Sequence, residues 1–315
     1  MTEGLSTNPD LTMAKLLGAF GPNLEFSKDL AGLSSFKTGG KARYFISVGS
    51  GSEIAKAVKA AGKLNIPSFV IGGGTNLLIS DKGFDGLIIK VDITGMELQA
   101  ETGIICGAGE QLGTLVNFAA ENALTGLEFA AGIWGTVGGA IYGNAGAYGG
   151  EMANVVAELT LVNSSGELKT VLGEYCRFGY RDSYLKTTRE IIVKALFRLE
   201  KGDKTAIRNK IEEIMRDRDR KFENVGNSAG CFFKNIPDPN QPHGKLSAGQ
   251  LLDNAGVKQL EVGGAKVFEK HANIIVNNGN ATSKDIRQLA DIMKKKVKDK
   301  FGVELAEEII QIGEF

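Results

Sequence analysis

The stretch from Gly132 to Gly150 reads GIWGTVGGAIYGNAGAYGG, and a segment so rich in glycine presents main chain, not side chains, to whatever packs on it. Glycine reaches positive φ and carries no Cβ to hold a ligand away, so backbone N–H groups can close on an anionic group. The pattern points to a phosphate-bearing cofactor. A second cluster strengthens it: Ile66-Pro67-Ser68-Phe69-Val70-Ile71 reads as a short strand, and Gly72-Gly73-Gly74-Thr75-Asn76 follows directly, ahead of the apolar Leu77-Leu78-Ile79. A strand that runs into a glycine turn with hydroxyl and amide donors can cradle a diphosphate. The turn lacks the Gly-Lys-Ser/Thr ending of a Walker loop. Neither a long helix nor the spaced acidic residue of the Gly-x-Gly-x-x-Gly dinucleotide fingerprint follows it, which sets a Rossmann dehydrogenase last among the alternatives. A glycine triplet taken alone is commonly a tight turn; two clusters in one chain bring the turn reading and the ligand reading level.

With 315 residues the chain exceeds the usual size of a single core, which predicts two domains. Its formal charge is zero. That balance speaks against a general nucleic-acid or membrane-surface binder, while leaving room for a basic patch around an anionic substrate. The opening MTEGLSTNPD is polar, without the basic and apolar regions of a secretory signal, and no later run is apolar enough to span a bilayer. A soluble cytoplasmic protein is expected. Cys106, Cys176 and Cys231 are odd in number and widely spaced, as suits a reducing compartment, and His243 and His271 are the only histidines. No metal site is expected from that set.

Ser52 is placed to cap a helix running to about Asn65, with Ile54, Val58, Ala61 and Leu64 at helical spacing. Leu87–Val91 and Gly103–Cys106 read as strands, and Leu112, Leu115, Val116 and Ala119 mark a helix ending near Asn122. Val155–Val162 and Leu168–Leu172 flank Asn163-Ser164-Ser165-Gly166-Glu167, a hairpin signal, and Ile191–Leu199 alternates as a further strand. Lys201-Gly202-Asp203-Lys204 is a polar joint before a helix carrying Ile207, Ile211, Ile214 and Met215. Near the end, Thr282 and Asp285 resemble a capping box, and Ile286, Leu289, Ala290, Met293 and Val297 line one side of the helix that follows. The expected class is α+β: an N-terminal segment over 1–36, a cofactor domain of two subdomains over 37–201 and a smaller α+β domain over 202–315.

The glycine pair, together with Phe178-Gly179-Tyr180-Arg181-Asp182-Ser183, Ser228-Ala229-Gly230-Cys231-Phe232-Phe233-Lys234-Asn235 and Ala248-Gly249-Gln250-Leu251-Leu252, resembles the UDP-N-acetylenolpyruvoylglucosamine reductase (MurB) family of peptidoglycan synthesis. The motifs stay in register from about Ser35 to Gly313, and Tyr142–Glu151 is more similar to the family's second subtype than to its first. The resemblance implies an FAD-binding fold of the vanillyl-alcohol oxidase (PCMH) type, followed by a smaller substrate-binding domain. It also implies non-covalent FAD, NADPH as reductant, and UDP-N-acetylglucosamine-enolpyruvate as a small-molecule substrate reduced to UDP-N-acetylmuramate. A monomer is expected, with no nucleic-acid or membrane partner. The cofactor residues implied are Gly72, Gly73, Gly74, Thr75, Asn76, Gly132, Gly135, Thr136, Gly138, Gly139, Asn144, Ala145 and Gly146.

By the same resemblance, a hydride from flavin N5 goes to the enolpyruvyl C3 and a proton to C2, so anionic charge must be tolerated between the steps. Donors set in place beside the substrate carboxylate lower such a barrier, because they act more strongly on the transition state than on the ground state. Arg181 matches one such donor, with a salt bridge to Asp182 as the structural alternative. Glu308 aligns with the family's essential carboxylate, and burial is expected to raise its pKa so that it can donate. Glu307 stands where the family has proline, which leaves Glu307 and Glu308 as alternatives. Cys231 occupies the position where the family commonly has the serine that protonates C2. A thiol titrates near about 8.5, far below an alcohol, and stays mostly protonated at neutral pH; a small buried apolar role is the alternative. Tyr180, Lys221, Asn235, Lys258 and His271 match positions that hold the UDP-sugar. A cation at Lys221 suits a diphosphate, and a packing role suits His271 equally well. Trp134 replaces the proline of Gly-Ile-Pro-Gly. Rival readings are an oxygen-using FAD oxidase of the same fold and a non-catalytic nucleotide-binding module.

Overall fold

The computed structural model describes residues 9–223, 225–241 and 244–315; the start of the chain and His243 lie outside the described residues. Two compact units form, each from separate stretches of sequence. The first takes the described residues up to Lys28, with Ala42–Gly73 and Asp85–Ile211; the second takes Asp29–Lys41, Gly74–Phe84 and Glu212–Phe315. Borders at 36/37 and 201/202 are thus replaced by an interleaved division. Its cause is pairing between distant segments: Leu77–Ile79 runs parallel to Ile310–Ile312, with Leu77 opposite Ile310 and Ile79 opposite Ile312. The Gly40 N–H then donates to the Ser80 carbonyl at 2.8 Å.

In the first unit, Leu168–Leu172, Val156–Val162, Ile191–Arg198, Gly103–Gly107 and Met96–Gln99 make a five-stranded sheet in that spatial order, antiparallel throughout. The hairpin is closed by Asn163, whose Oδ1 accepts from the Ser165 and Glu167 N–H groups at 2.9 Å each. Ser68–Ile71 pairs in parallel with Phe84–Val91 in a second sheet that also holds Leu24–Asp29 and Lys41–Val48. The helix Gly51–Lys63 is capped by Ser50, not by Ser52: Ser50 is extended, and its Oγ accepts from the Glu53 N–H at 3.2 Å. Ser52 already lies inside the first turn. The next helix, Leu112–Glu121, ends at Asn122 and buries Leu112, Leu115, Val116 and Ala119.

The second unit has its own core, in which Phe232, Phe233, Leu252 and Ile275 pack with Phe36 and Leu78 from the early segments. The helix Ser283–Phe301 closes this core with Ile286, Leu289, Ala290, Met293 and Val297, and the Thr282/Asp285 capping box is formed in both directions. The early segment Gly74–Phe84 also anchors that helix, since Asp81 accepts from the Ser283 and Lys284 N–H groups at 2.8 and 2.9 Å. Mixed helix and strand content makes the class α+β, as expected. Among the described residues, no helix is long and apolar enough to cross a membrane.

Candidate active site

The two glycine clusters meet in the first unit. A Cβ on Gly72 would stand 2.3 Å from Thr136 Oγ1, and one on Gly73 would stand 3.0 Å from Gly135 Cα. A Cβ at Gly72 would clash with Thr136, and one at Gly73 would crowd the Gly135 backbone. Gly132 and Gly135 supply the left-handed turns between them, with φ of 70° and 122°. Thr136 then caps the short helix Val137–Tyr142, its Oγ1 accepting from the Gly139 N–H at 3.4 Å. The Gly138 N–H donates to the Ala108 carbonyl at 2.8 Å, and a Cβ on Gly138 would lie 3.0 Å from Ala108. Gly138 and Gly139 are therefore engaged in packing and capping, and their amides, expected to grip a ligand, are spent inside the protein.

Asn144, Ala145 and Gly146 are likewise held by the fold itself. The Ala145 N–H donates to the Ala140 carbonyl at 2.8 Å and its carbonyl accepts from the Met152 N–H at 3.0 Å, and Gly146 pairs with Glu151 across a small hairpin. Asn144 is fully buried; its Nδ2 donates to the Gly179 carbonyl at 2.9 Å and its Oδ1 accepts from the Ala153 N–H at 3.0 Å. Gly179 and Asp182 exchange N–H to carbonyl bonds at 3.0 and 3.1 Å, which sets Tyr180 and Arg181 at the tip of a two-residue turn. Arg181 has a φ of 53°, and its guanidinium carbon is 5.5 Å from the Tyr180 ring centroid. Asp182 pairs with Lys186 at 3.7 Å.

In the second unit, Gly74 turns with φ of 65° against Leu33, whose carbonyl oxygen lies 1.8 Å from where a Cβ would be. The Ser35 N–H donates to the Gly74 carbonyl at 3.1 Å. Ser35 Oγ and Thr38 Oγ1 are buried with no hydrogen-bond partner among the described residues, an orphaned pair that sequence reasoning missed. Thr75 is half-buried. Asn76, expected to face a cofactor, directs its Nδ2 to the Glu308 carbonyl at 3.0 Å, and its own carbonyl accepts from the Ile310 N–H at 3.0 Å.

Cys231 and Glu308 are brought onto neighbouring segments. The Glu308 N–H donates to the Phe232 carbonyl at 2.8 Å, and the Phe232 N–H donates to the Asn273 carbonyl at 2.7 Å. The Asn273 side chain, buried, clamps Phe233 by accepting from its N–H at 2.9 Å and donating to its carbonyl at 2.8 Å. Cys231 is half-exposed, whereas Cys106 and Cys176 are buried; burial pushes their thiols up to about 12 and about 11. The neighbour Glu307 is committed elsewhere, accepting from Arg287 at 3.4 Å, Lys294 at 3.2 Å and Gln311 Nε2 at 2.5 Å.

Of the residues matched to sugar contacts in this unit, Asn235 uses its Oδ1 to accept from the Ala248 N–H at 3.0 Å, at the start of the helix Ala248–Asn254. Lys221 pairs with Asp217 at 2.5 Å and Lys258 with Asp253 at 2.8 Å. His271 Nδ1 accepts from the Asn273 N–H at 3.3 Å, so the neutral ring carries its proton on Nε2. Burial, aided by the positive charges of Lys258 and Lys221, holds this imidazole below its usual range. Among the described residues, no group of three or more His, Cys, Asp or Glu side chains is arranged to hold a metal ion.

In the first unit the bare glycine backbone suits a ligand rich in phosphate oxygen, and in the second the orphaned hydroxyls of Ser35 and Thr38 suit one that supplies hydrogen-bonding oxygen. Comparison with known proteins agrees. Residues 42–172 match the family described as FAD binding domain, and residues 220–312 match that described as UDP-N-acetylenolpyruvoylglucosamine reductase, C-terminal domain. The chain is 40% identical over 281 residues to a UDP-N-acetylenolpyruvoylglucosamine reductase of Caldanaerobacter subterraneus subsp. tengcongensis, covering 89% of this chain and 91% of that one. A reductase of the same name from Lachnoclostridium phytofermentans is 39% identical over 286 residues, covering 89% and 90%. Among solved structures, the UDP-N-acetylenolpyruvylglucosamine reductase (MurB) of Thermus caldophilus superposes with a TM-score of 0.76 at 31% identity, covering 92% of this chain and 98% of the other.

Proposed function

Because this chain belongs to the UDP-N-acetylenolpyruvoylglucosamine reductase family, we infer that it uses NADPH and FAD to reduce the enolpyruvyl group of UDP-N-acetylglucosamine-enolpyruvate, giving UDP-N-acetylmuramate for peptidoglycan. The observation that carries this reading in the molecule itself is the approach of the Gly72-Gly73 backbone to Gly135-Thr136, where a Cβ on Gly72 would clash. The chemistry supplied by bound FAD is the carriage of two electrons from NADPH to the substrate double bond. Everything else falls to the protein.

In this reading the bare backbone of Gly72, Gly73, Gly132 and Gly135 serves the cofactor, and Tyr180 and Arg181 serve the substrate. A planar guanidinium at the tip of a tight turn suits a carboxylate, on which negative charge grows as the double bond is reduced. Cys231 is read as the proton donor to C2 and Glu308 as the acid that stabilises the anionic intermediate. The pairing of Glu307 with Arg287, Lys294 and Gln311 supports Glu308 over its neighbour, because the oxygens of Glu307 are already engaged within the protein. Lys221 and Lys258 are read as cations for the UDP diphosphate, which would compete with Asp217 and Asp253 for them. Asn235 and His271 are read as sugar-nucleotide contacts. The enzyme is taken to be a cytoplasmic monomer, and the zero formal charge supports the absence of nucleic-acid or membrane-surface partners. Turnover tests the whole: NADPH should be consumed only when UDP-N-acetylglucosamine-enolpyruvate is present, with a product heavier by two hydrogens in the mass spectrum. NADPH consumption driven equally well by oxygen alone would favour an oxidase.

A further inference from the structure

We propose that Asn144 is a positioning residue for Arg181, acting through its buried side-chain amide; the inference rests on the reading above that Arg181 meets the substrate carboxylate. The partners of the amide leave one orientation: the Ala153 N–H at 3.0 Å requires an acceptor and the Gly179 carbonyl at 2.9 Å requires a donor. Both ends of a fully buried side chain are thus spent on backbone. The carbonyl that it holds belongs to Gly179, the first corner of the turn that carries Tyr180 and Arg181. The far side of the turn is held too, since Ser183 Oγ donates to the Tyr142 carbonyl at 2.7 Å. The 179–183 turn is therefore pinned at both ends to residues 142–144, and closed on itself by the Gly179–Asp182 exchange.

Asparagine suits this post for a second reason. Residue 144 has a φ of 44°, a region that asparagine enters more readily than most side chains. The bond from Nδ2 thereby locks the turn to the glycine-rich segment itself, so the guanidinium keeps its register with the main chain that the proposed reading assigns to the cofactor. Misplacement of a catalytic group by about 1 Å can cost on the order of a hundredfold in rate, which is the scale of penalty that such a brace prevents.

The two half-reactions separate positioning from general scaffolding. Asn144→Gly keeps the left-handed backbone and deletes both bonds, while Asn144→Asp keeps the acceptor for Ala153 and loses the donor for Gly179. Purified holoenzyme of each variant is reduced with NADPH and then mixed with UDP-N-acetylglucosamine-enolpyruvate in anaerobic stopped flow. Flavin content and the rate of reduction by NADPH are expected within about twofold of wild type, with reoxidation by substrate slowed about tenfold or more in both variants. In an Arg181→Ala background, Asn144→Gly should add less than about twofold, because the two act as one unit. Loss of flavin, equal slowing of both half-reactions, or full multiplication of the two effects would overturn the positioning role. Should Arg181→Ala itself leave reoxidation unchanged, the reading of Arg181 falls and this inference falls with it.

Discussion

At position 231, the proposed proton donor, stands a thiol whose partly buried setting separates it from the buried thiols of Cys106 and Cys176. Burial drives those two up to about 12 and about 11, so neither is suited to exchange protons near neutrality. Cys231→Ser is expected to retain much of the activity, and Cys231→Ala to stall reoxidation of the reduced flavin by substrate; equal reoxidation rates for Cys231→Ala and wild type would discard the proton-donor role. The adjacent acids separate in the same experiment. Glu308→Gln should slow substrate reduction with little change in melting temperature. Glu307→Gln should keep the rate and lose roughly 1–3 kcal/mol of stability, because its carboxylate joins Arg287, Lys294 and Gln311. At this scale, motif order made Arg181, Cys231 and Glu308 legible as candidates. The pairing of Glu307 with Arg287 and Lys294 was not legible, since it depends on which cations of the Ser283–Phe301 helix lie beside it.

Element by element, local signals read well and shared backbone read poorly. The Thr282/Asp285 box and the apolar stripe that follows it appear as expected, because a cap and a helical face are properties of neighbouring residues. Ser50 displaced Ser52 as a cap, a shift of half a turn that two serines in one short run cannot distinguish. The glycine clusters were legible as places where main chain is exposed to contact, but not as partners of each other. Their approach makes a testable claim: Gly72→Ala should lower flavin affinity and melting temperature, and Thr136→Gly in that background should recover part of the loss, since the added Cβ meets Thr136 Oγ1 at 2.3 Å. Failure of the second change to help at all would show that the contact is not the cause. Thr38 was unread because its signature is an absent partner. Replacing it with valine removes a buried hydroxyl that has no partner among the described residues; the flavin-free protein should therefore not lose stability, whereas flavin affinity should fall. A drop in flavin-free stability of about 1 kcal/mol, the usual loss for a satisfied bond, would contradict this.

For the molecule as a whole, the interleaving of two units along one chain was the largest feature beyond sequence reach. Composition and length predict two domains, but the parallel pairing of Leu77–Ile79 with Ile310–Ile312 joins segments that no local periodicity connects. Global stability also carries a pH signature from His271. Burial and the nearby lysines lower its folded-state pKa, so the unfolded chain takes up the proton first as pH falls. The neutral ring's contribution is complete above the ordinary imidazole value of about 6.5 and is lost progressively as pH drops below it toward the folded value. Urea midpoints measured across that range should fall for wild type and fall less for His271→Gln; parallel slopes would remove His271 as the source. The most direct test of the account is visible absorbance. The purified or FAD-reconstituted protein should be yellow, bleach on anaerobic addition of NADPH, and regain its colour when UDP-N-acetylglucosamine-enolpyruvate follows. Protein that stays colourless after reconstitution, or that stays bleached when substrate is added, would contradict it.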